Sequence, residues 1–144
     1  MWSKMDEQQI LERSIELISR LMGVLETEAF EQEGFSDLSM RQLLYVETIA
    51  RLENPTFSEL AEALSVSKPS VTALVHKLIR MGYLKKIQSQ EDRRVYHINL
   101  AEKGLRFTEM HANVHRLMAE RLTARLDGEQ ISQLAALLKT VVGE

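Results

Sequence analysis

The sequence predicts a mainly α-helical domain carrying one small β-hairpin, and three observations lead there. Apolar residues recur at spacings of three and four over most of the chain. Three helix-opening boxes punctuate it, Ser39-x-x-Gln42, Thr56-x-x-Glu59 and Asp127-x-x-Gln130. Strand-like alternation is confined to "LKKIQS" and "VYHINL", on either side of "QEDRR". A length of 144 residues fits a single domain able to bury a core without metals or disulfides.

Taken in order, residues 6 to about 31 form a first helix. Leu11, Ile15, Ile18, Met22, Leu25 and Ala29 make one apolar row, and Ile10, Leu17, Leu21 and Val24 a second. Two rows widen the face beyond one seam, so more than one packing partner is expected. Gly34 ends this segment. Ser39 caps a helix running to about Leu52, which Asn54-Pro55 stops. Thr56 caps a short helix to about Leu64. Ser67 is the N-cap of the next, and Pro69 is tolerated because first-turn N–H groups lack intrahelical partners. Val71, Leu74, Val75, Leu78 and Ile79 give that helix a buried stripe, and Gly82 stops it. In the hairpin Tyr96, Ile98 and Leu100 share a face. Its connection lacks Gly, so a loop over residues 89 to 93 is expected instead of a two-residue turn. A helix from Glu102 to about Arg125 and a last one capped by Asp127 complete the chain.

Composition excludes several classes of function. There is no cysteine, which removes disulfides, thiolate metal sites and thiol redox sensing. No apolar run approaches the roughly 20 residues that span a bilayer, and "MWSKMDEQQ" has no signal-peptide core. A cytoplasmic protein is the expectation. Gly-x-Ser-x-Gly, a phosphate-cradling Gly-rich loop and a cysteine nucleophile are all missing, so the sequence does not read as an enzyme. The net charge is −3, yet Val66 to Leu100 carries seven Lys or Arg against two acids, a local +5 inside a frame of −8. Local sign, not global charge, decides where a polyanion docks.

"FSELAEALSVSKPSVTALVHKLIRMGYL" reads as a helix-turn-helix. On a wheel of residues 68 to 81, Val71, Leu74, Val75 and Leu78 point inward. Pro69, Ala73, His76 and Arg80 point outward, flanked by Thr72 on one side and by Ser70 and Lys77 on the other. Small, hydroxyl-bearing and basic groups suit a DNA major groove: small residues allow close approach, and hydroxyls reach phosphates or base edges. An ordinary solvated helix face is the plain alternative. The Ser-Lys-Pro-Ser start and the basic hairpin behind it weigh toward DNA.

"FSELAEALSVSKPSVTALVHKLIRMGYLKKIQSQEDRRVYHINLAEKG" resembles the MarR (multiple antibiotic resistance regulator) family of winged helix-turn-helix transcription regulators, including its Asp-x-Arg wing signature at Asp92-Arg93-Arg94. The flanking helices resemble the family's too. Ala101 departs from it, standing where a helix-capping Thr is frequent. The resemblance implies one MarR-like domain, with residues 36–100 the winged helix-turn-helix and 1–35 and 101–144 dimerisation helices. It implies a homodimer on an inverted-repeat operator, each recognition helix in a major groove and each wing in a minor groove, and a repressor released by a small molecule bound between the two regions. The implied DNA contacts are Ser67, Lys68, Pro69, Ser70, Thr72, Ala73, His76 and Lys77 on the helix, and Gln88, Asp92, Arg93 and Arg94 on the wing. Thr72, Ala73 and His76 are expected at base edges, Lys68 and Lys77 at phosphates. The family's Asp pairs with its wing Arg, which implies that Asp92 orients the guanidinium of Arg94. No motif fixes effector residues; Met22, Tyr45 and Met118 are read as core. No cofactor or metal is expected.

Two other functions stay open at this level. His111 and His115, four apart on one helix, make half a zinc site, which would give a metal-responsive regulator. A winged-helix module meeting an acidic protein is the other.

Overall fold

The computed structural model describes residues 5–143. Its elements are α1 (Glu7–Glu33), α2 (Met40–Leu52), α3 (Phe57–Leu64), α4 (Lys68–Arg80), β1 (Leu84–Gln88), β2 (Tyr96–Leu100), α5 (Glu102–Thr123) and α6 (Gly128–Val142). All three expected boxes form in full. The side chains of Ser39, Thr56 and Asp127 accept from the backbone N–H three residues on, and Gln42, Glu59 and Gln130 return the bond. Each satisfies donors that a helix start leaves bare, which is why these starts were readable. Gly34 and Gly82 follow their helices at φ +78 and +85, the left-handed region that glycine enters without strain. At Ala101 the backbone alone begins α5: its carbonyl accepts from Leu105 N–H at 2.9 Å.

The chain divides into two compact units, Thr27–Ala112 and the remaining residues, 5–26 with 113–143 among those described. In the first, Tyr45, Val46, Ile49, Leu60, Val71, Val75, Leu78, Ile98 and Phe107 are fully buried. Phe107 meets Phe35 edge-on at 5.5 Å between centroids, and Phe30 at 5.6 Å. Tyr45 is therefore core, as expected. Leu74 and Ile79, expected in the buried stripe of α4, are only half-buried. They lie at the edge of that stripe, which is narrower than the sequence indicates.

A polar tie closes the same unit. Tyr83 donates its hydroxyl to Asp37 at 2.6 Å, and Lys103 reaches the other carboxylate oxygen at 3.2 Å while lying over the Tyr83 ring. Burial opposes the charge on Asp37, but the hydrogen bonds from Tyr83 and Lys103 together hold its carboxyl below the usual range. Burial, then the bond to Asp37, pushes the Tyr83 phenol up, so it stays a donor. Gly104 lies against this region. A Cβ there would sit 2.2 Å from the Tyr83 carbonyl oxygen, so α5 approaches the chain before β1 only because residue 104 has no side chain.

In the second unit Val114 and Met118 are buried. Large apolar residues remain exposed on its helices: Leu11 and Ile15 of α1, and Leu137, Leu138, Val141 (80% exposed) and Val142 of α6. Among the described residues no helix is long and apolar enough to cross a membrane.

Candidate nucleic-acid interface

The helix-turn-helix is α3, a three-residue turn and α4. Ser65 makes the turn in the left-handed region, its N–H shared between the Ala61 and Glu62 carbonyls. Ser67 opens α4 by accepting from Ser70 N–H, and its own hydroxyl donates to Ser70 Oγ at 2.9 Å. Val71, Val75 and Leu78, all fully buried, then fix which side of α4 turns away from the core. That outward side carries Pro69, Ala73 and Arg80, exposed, and His76, half-buried. His76 is held by an edge contact with Phe57 of α3, centroids 6.2 Å apart. The Thr72 hydroxyl donates to the Lys68 carbonyl at 2.9 Å, which leaves its oxygen able to accept.

The hairpin pairs Leu84 with Leu100 through Gln88 with Tyr96. The loop runs from 89 to 95, two residues longer than expected. Val95 stands opposite Ser89: its carbonyl accepts from Ser89 N–H in the register of the ladder, while its N–H turns into the loop and donates to the Asp92 carbonyl. Ser89 Oγ accepts from the N–H groups of Glu91 and Asp92. Gln88 closes the structure by donating to the Arg93 carbonyl at 2.7 Å, so it shapes the wing. A third segment braces it: Ile98 N–H donates to the Pro55 carbonyl, His97 Nδ1 meets the Asn54 carbonyl at 2.9 Å, and Asn99 donates to the Asn54 side chain. In the sequence Asn54-Pro55 reads only as a helix stop.

Asp92 does hold Arg94, but chiefly through the backbone. Its Oδ1 accepts from Arg94 N–H at 2.9 Å, an Asx-type turn. The guanidinium Nε is 3.8 Å away, and the Arg94 side chain is 95% exposed. An exposed pair at that distance contributes little. Expectation and geometry agree on the partners and differ on the bond that matters.

Lys68, Lys77, Arg80, Lys85 and Arg93 form no ion pair among the described residues, unlike Arg13, Arg20 and Arg116. Two hollows lie on the flanks of the outward face of α4. One is lined by Lys68, Thr56, Phe57, Ser58, Arg94 and Tyr96, and so joins helix and wing. The other is lined by Ser70, Ala73, Leu74 and Lys77 with Arg41 of α2. Thr56, Ser58 and Arg41 are therefore additions to the surface. The capping box disguised Thr56, and nothing in the spacing of the sequence joins residue 41 to residue 77.

The two histidines weighed for zinc are on α5. His111 lies against Glu47 through Nδ1 and stacks on Phe107.

A MarR family model matches residues 38–96. The HTH-type transcriptional regulator YkoM of Bacillus subtilis is 26% identical over 111 residues, 76% of this chain and 69% of its own length. The transcriptional repressor MprA of Escherichia coli is 33% identical over 82 residues, which is 53% of this chain and 47%, about half, of that protein. The crystal structure of Streptococcus pneumoniae FabT in complex with DNA aligns with a TM-score of 0.71 at 27% identity, over 96% of both chains. These likenesses favour neither an enzyme nor the metal-responsive reading.

Proposed function

We propose that the chain, whose residues 38–96 match a MarR family model, is a sequence-specific DNA-binding repressor of that family acting as a homodimer on an inverted repeat. One observation carries the reading: α4 presents a small, polar, cationic face that no acid neutralises among the described residues, beside a wing whose arginine projects into solvent. Thr72, Ala73 and His76 read base edges in the major groove. Ser67, Lys68, Pro69, Ser70 and Lys77 seat the phosphates. Arg94, with Arg93, enters the adjacent minor groove, where narrow geometry concentrates negative potential. Gln88 and Asp92 position those arginines and need not touch DNA. Residues 36–100 form the DNA-binding part, and the flanking helices dimerise through the exposed apolar faces of α1 and α6. A small-molecule effector releases the DNA, and the protein works in the cytoplasm.

The experiment is recovery of sheared genomic DNA by the purified protein, followed by sequencing. Discrete sites sharing an inverted repeat, with half-site centres about 34 Å apart, are expected. Uniform recovery of the genome overturns the proposal.

A further inference from the structure

The hollow on the Ser70 and Lys77 flank of α4 has a wall from another helix, and that wall carries a cation. Arg41 is exposed, forms no ion pair among the described residues, and shares the hollow with Lys77. We infer that Arg41 is a second phosphate-binding residue, which with Lys77 clamps one strand of the DNA backbone alongside the recognition helix. The inference rests on the proposed DNA-binding function and extends it to a residue outside the helix-turn-helix and wing.

Helix geometry gives the reason. At 100° per residue, Lys68 and Lys77 stand roughly 180° apart, with Ala73, His76 and Arg80 between them. A helix about 10–12 Å across fills a major groove about 12 Å wide, so its two flanks face the two strands. The Lys68 flank has Arg94 as a second cation. Without Arg41 the Lys77 flank would have only the cations of α4 itself, Lys77 and, about 60° round the helix, Arg80, against a backbone carrying a charge at every nucleotide. Arg41 also sits where a cation does not help its own helix. It is in the first turn of α2, which has no acid, and the helix dipole there disfavours positive charge. Helix stability therefore does not explain it.

The test uses the full-length protein and a duplex of about 20 base pairs of random sequence, because phosphate contacts are read without an operator. The slope of log affinity against log salt is measured for wild type, Arg41→Ala, Arg41→Lys, Arg41→Glu and Arg51→Ala, the last an exposed arginine at the far end of α2. Arg41→Ala is expected to lower the slope by about 0.9 per bound protomer, so its affinity deficit grows about eightfold per protomer for each tenfold dilution of salt. Arg41→Lys is expected to keep the slope, since lysine still binds phosphate as a point charge. Arg41→Glu is expected to bind most weakly with an unchanged or raised Tm, which separates lost contact from lost fold. If the slope of Arg41→Ala equals that of wild type or of Arg51→Ala, the inference is wrong while the proposed function stands. If wild type itself shows no salt-dependent binding, the proposed function fails, and the clamp with it.

Discussion

At Asp92 two electrostatic effects oppose one another. A carboxylate near DNA repels phosphate, so its removal by charge alone should tighten binding. The same side chain accepts the Arg94 N–H and thereby fixes the direction in which an exposed arginine leaves the loop. Asparagine keeps that acceptor and alanine does not. Asp92→Asn is therefore expected to bind operator as tightly as wild type or slightly tighter. Asp92→Ala is expected to bind more weakly, by about 0.5–1.5 kcal/mol, the worth of one hydrogen bond. Affinity at fixed salt for both variants checks this. Equal weakening by both would mean that the ion pair, not the turn, orients Arg94. The faces of α4 give a second residue-level outcome. Lys77→Ala should weaken all sequences alike, because phosphates carry no sequence information. Thr72→Ala should alter preference at one base position, at a cost of about 1–3 kcal/mol there. Preference changed by Lys77→Ala and untouched by Thr72→Ala would reverse the assignment.

Among the elements, legibility followed locality. Helix starts were plain in the sequence because a capping box is complete within four residues, and Ser39, Thr56 and Asp127 each form theirs. The outward face of α4 was legible for the same reason, since 3.6-residue periodicity sorts Val71, Val75 and Leu78 from Ala73 and Arg80. What depended on distant partners was not. The brace of β2 on Asn54 spans more than forty residues, and the stowing of His76 against Phe57 needs α3 and α4 in place. The length of the wing loop also escaped, because the N–H groups of Val95 and Asp92 turn inward, to the Asp92 carbonyl and Ser89 Oγ. The tie from Asp37 to Tyr83 and Lys103 is another such long-range feature, and it predicts a pH effect. The folded state lowers the Asp37 pKa, so its stabilisation is present above the unfolded pKa and is lost as pH falls through the folded one. Asp37→Asn should be less stable than wild type near neutrality, with the gap narrowing in acid. Urea denaturation at pH 7 and pH 3 measures it. A gap that widens in acid would contradict the tie.

For the whole molecule, the informative facts are where charge and apolar surface gather. The basic segment lies between an acidic one, residues 1–65, and a neutral one, residues 101–144, and most of the exposed large apolar side chains lie on α1 and α6. Both distributions fit a protein that presents DNA with one surface and a second copy of itself with another. Exposed apolar side chains gathered on two helices fit an interface. The double substitution Leu138→Asp/Val141→Asp is expected to leave the helical content intact and to convert a sedimenting dimer into a monomer. An unchanged dimer would place the interface elsewhere. DNA recognition is the central claim, and its most direct measurement is the ratio of affinities, at one fixed near-physiological salt concentration, for a duplex selected by the protein and for the same duplex scrambled. A repressor reading bases through α4 should prefer the selected duplex by about a thousandfold or more. Equal affinity for the two would contradict it, leaving only a cationic surface that holds DNA without reading it.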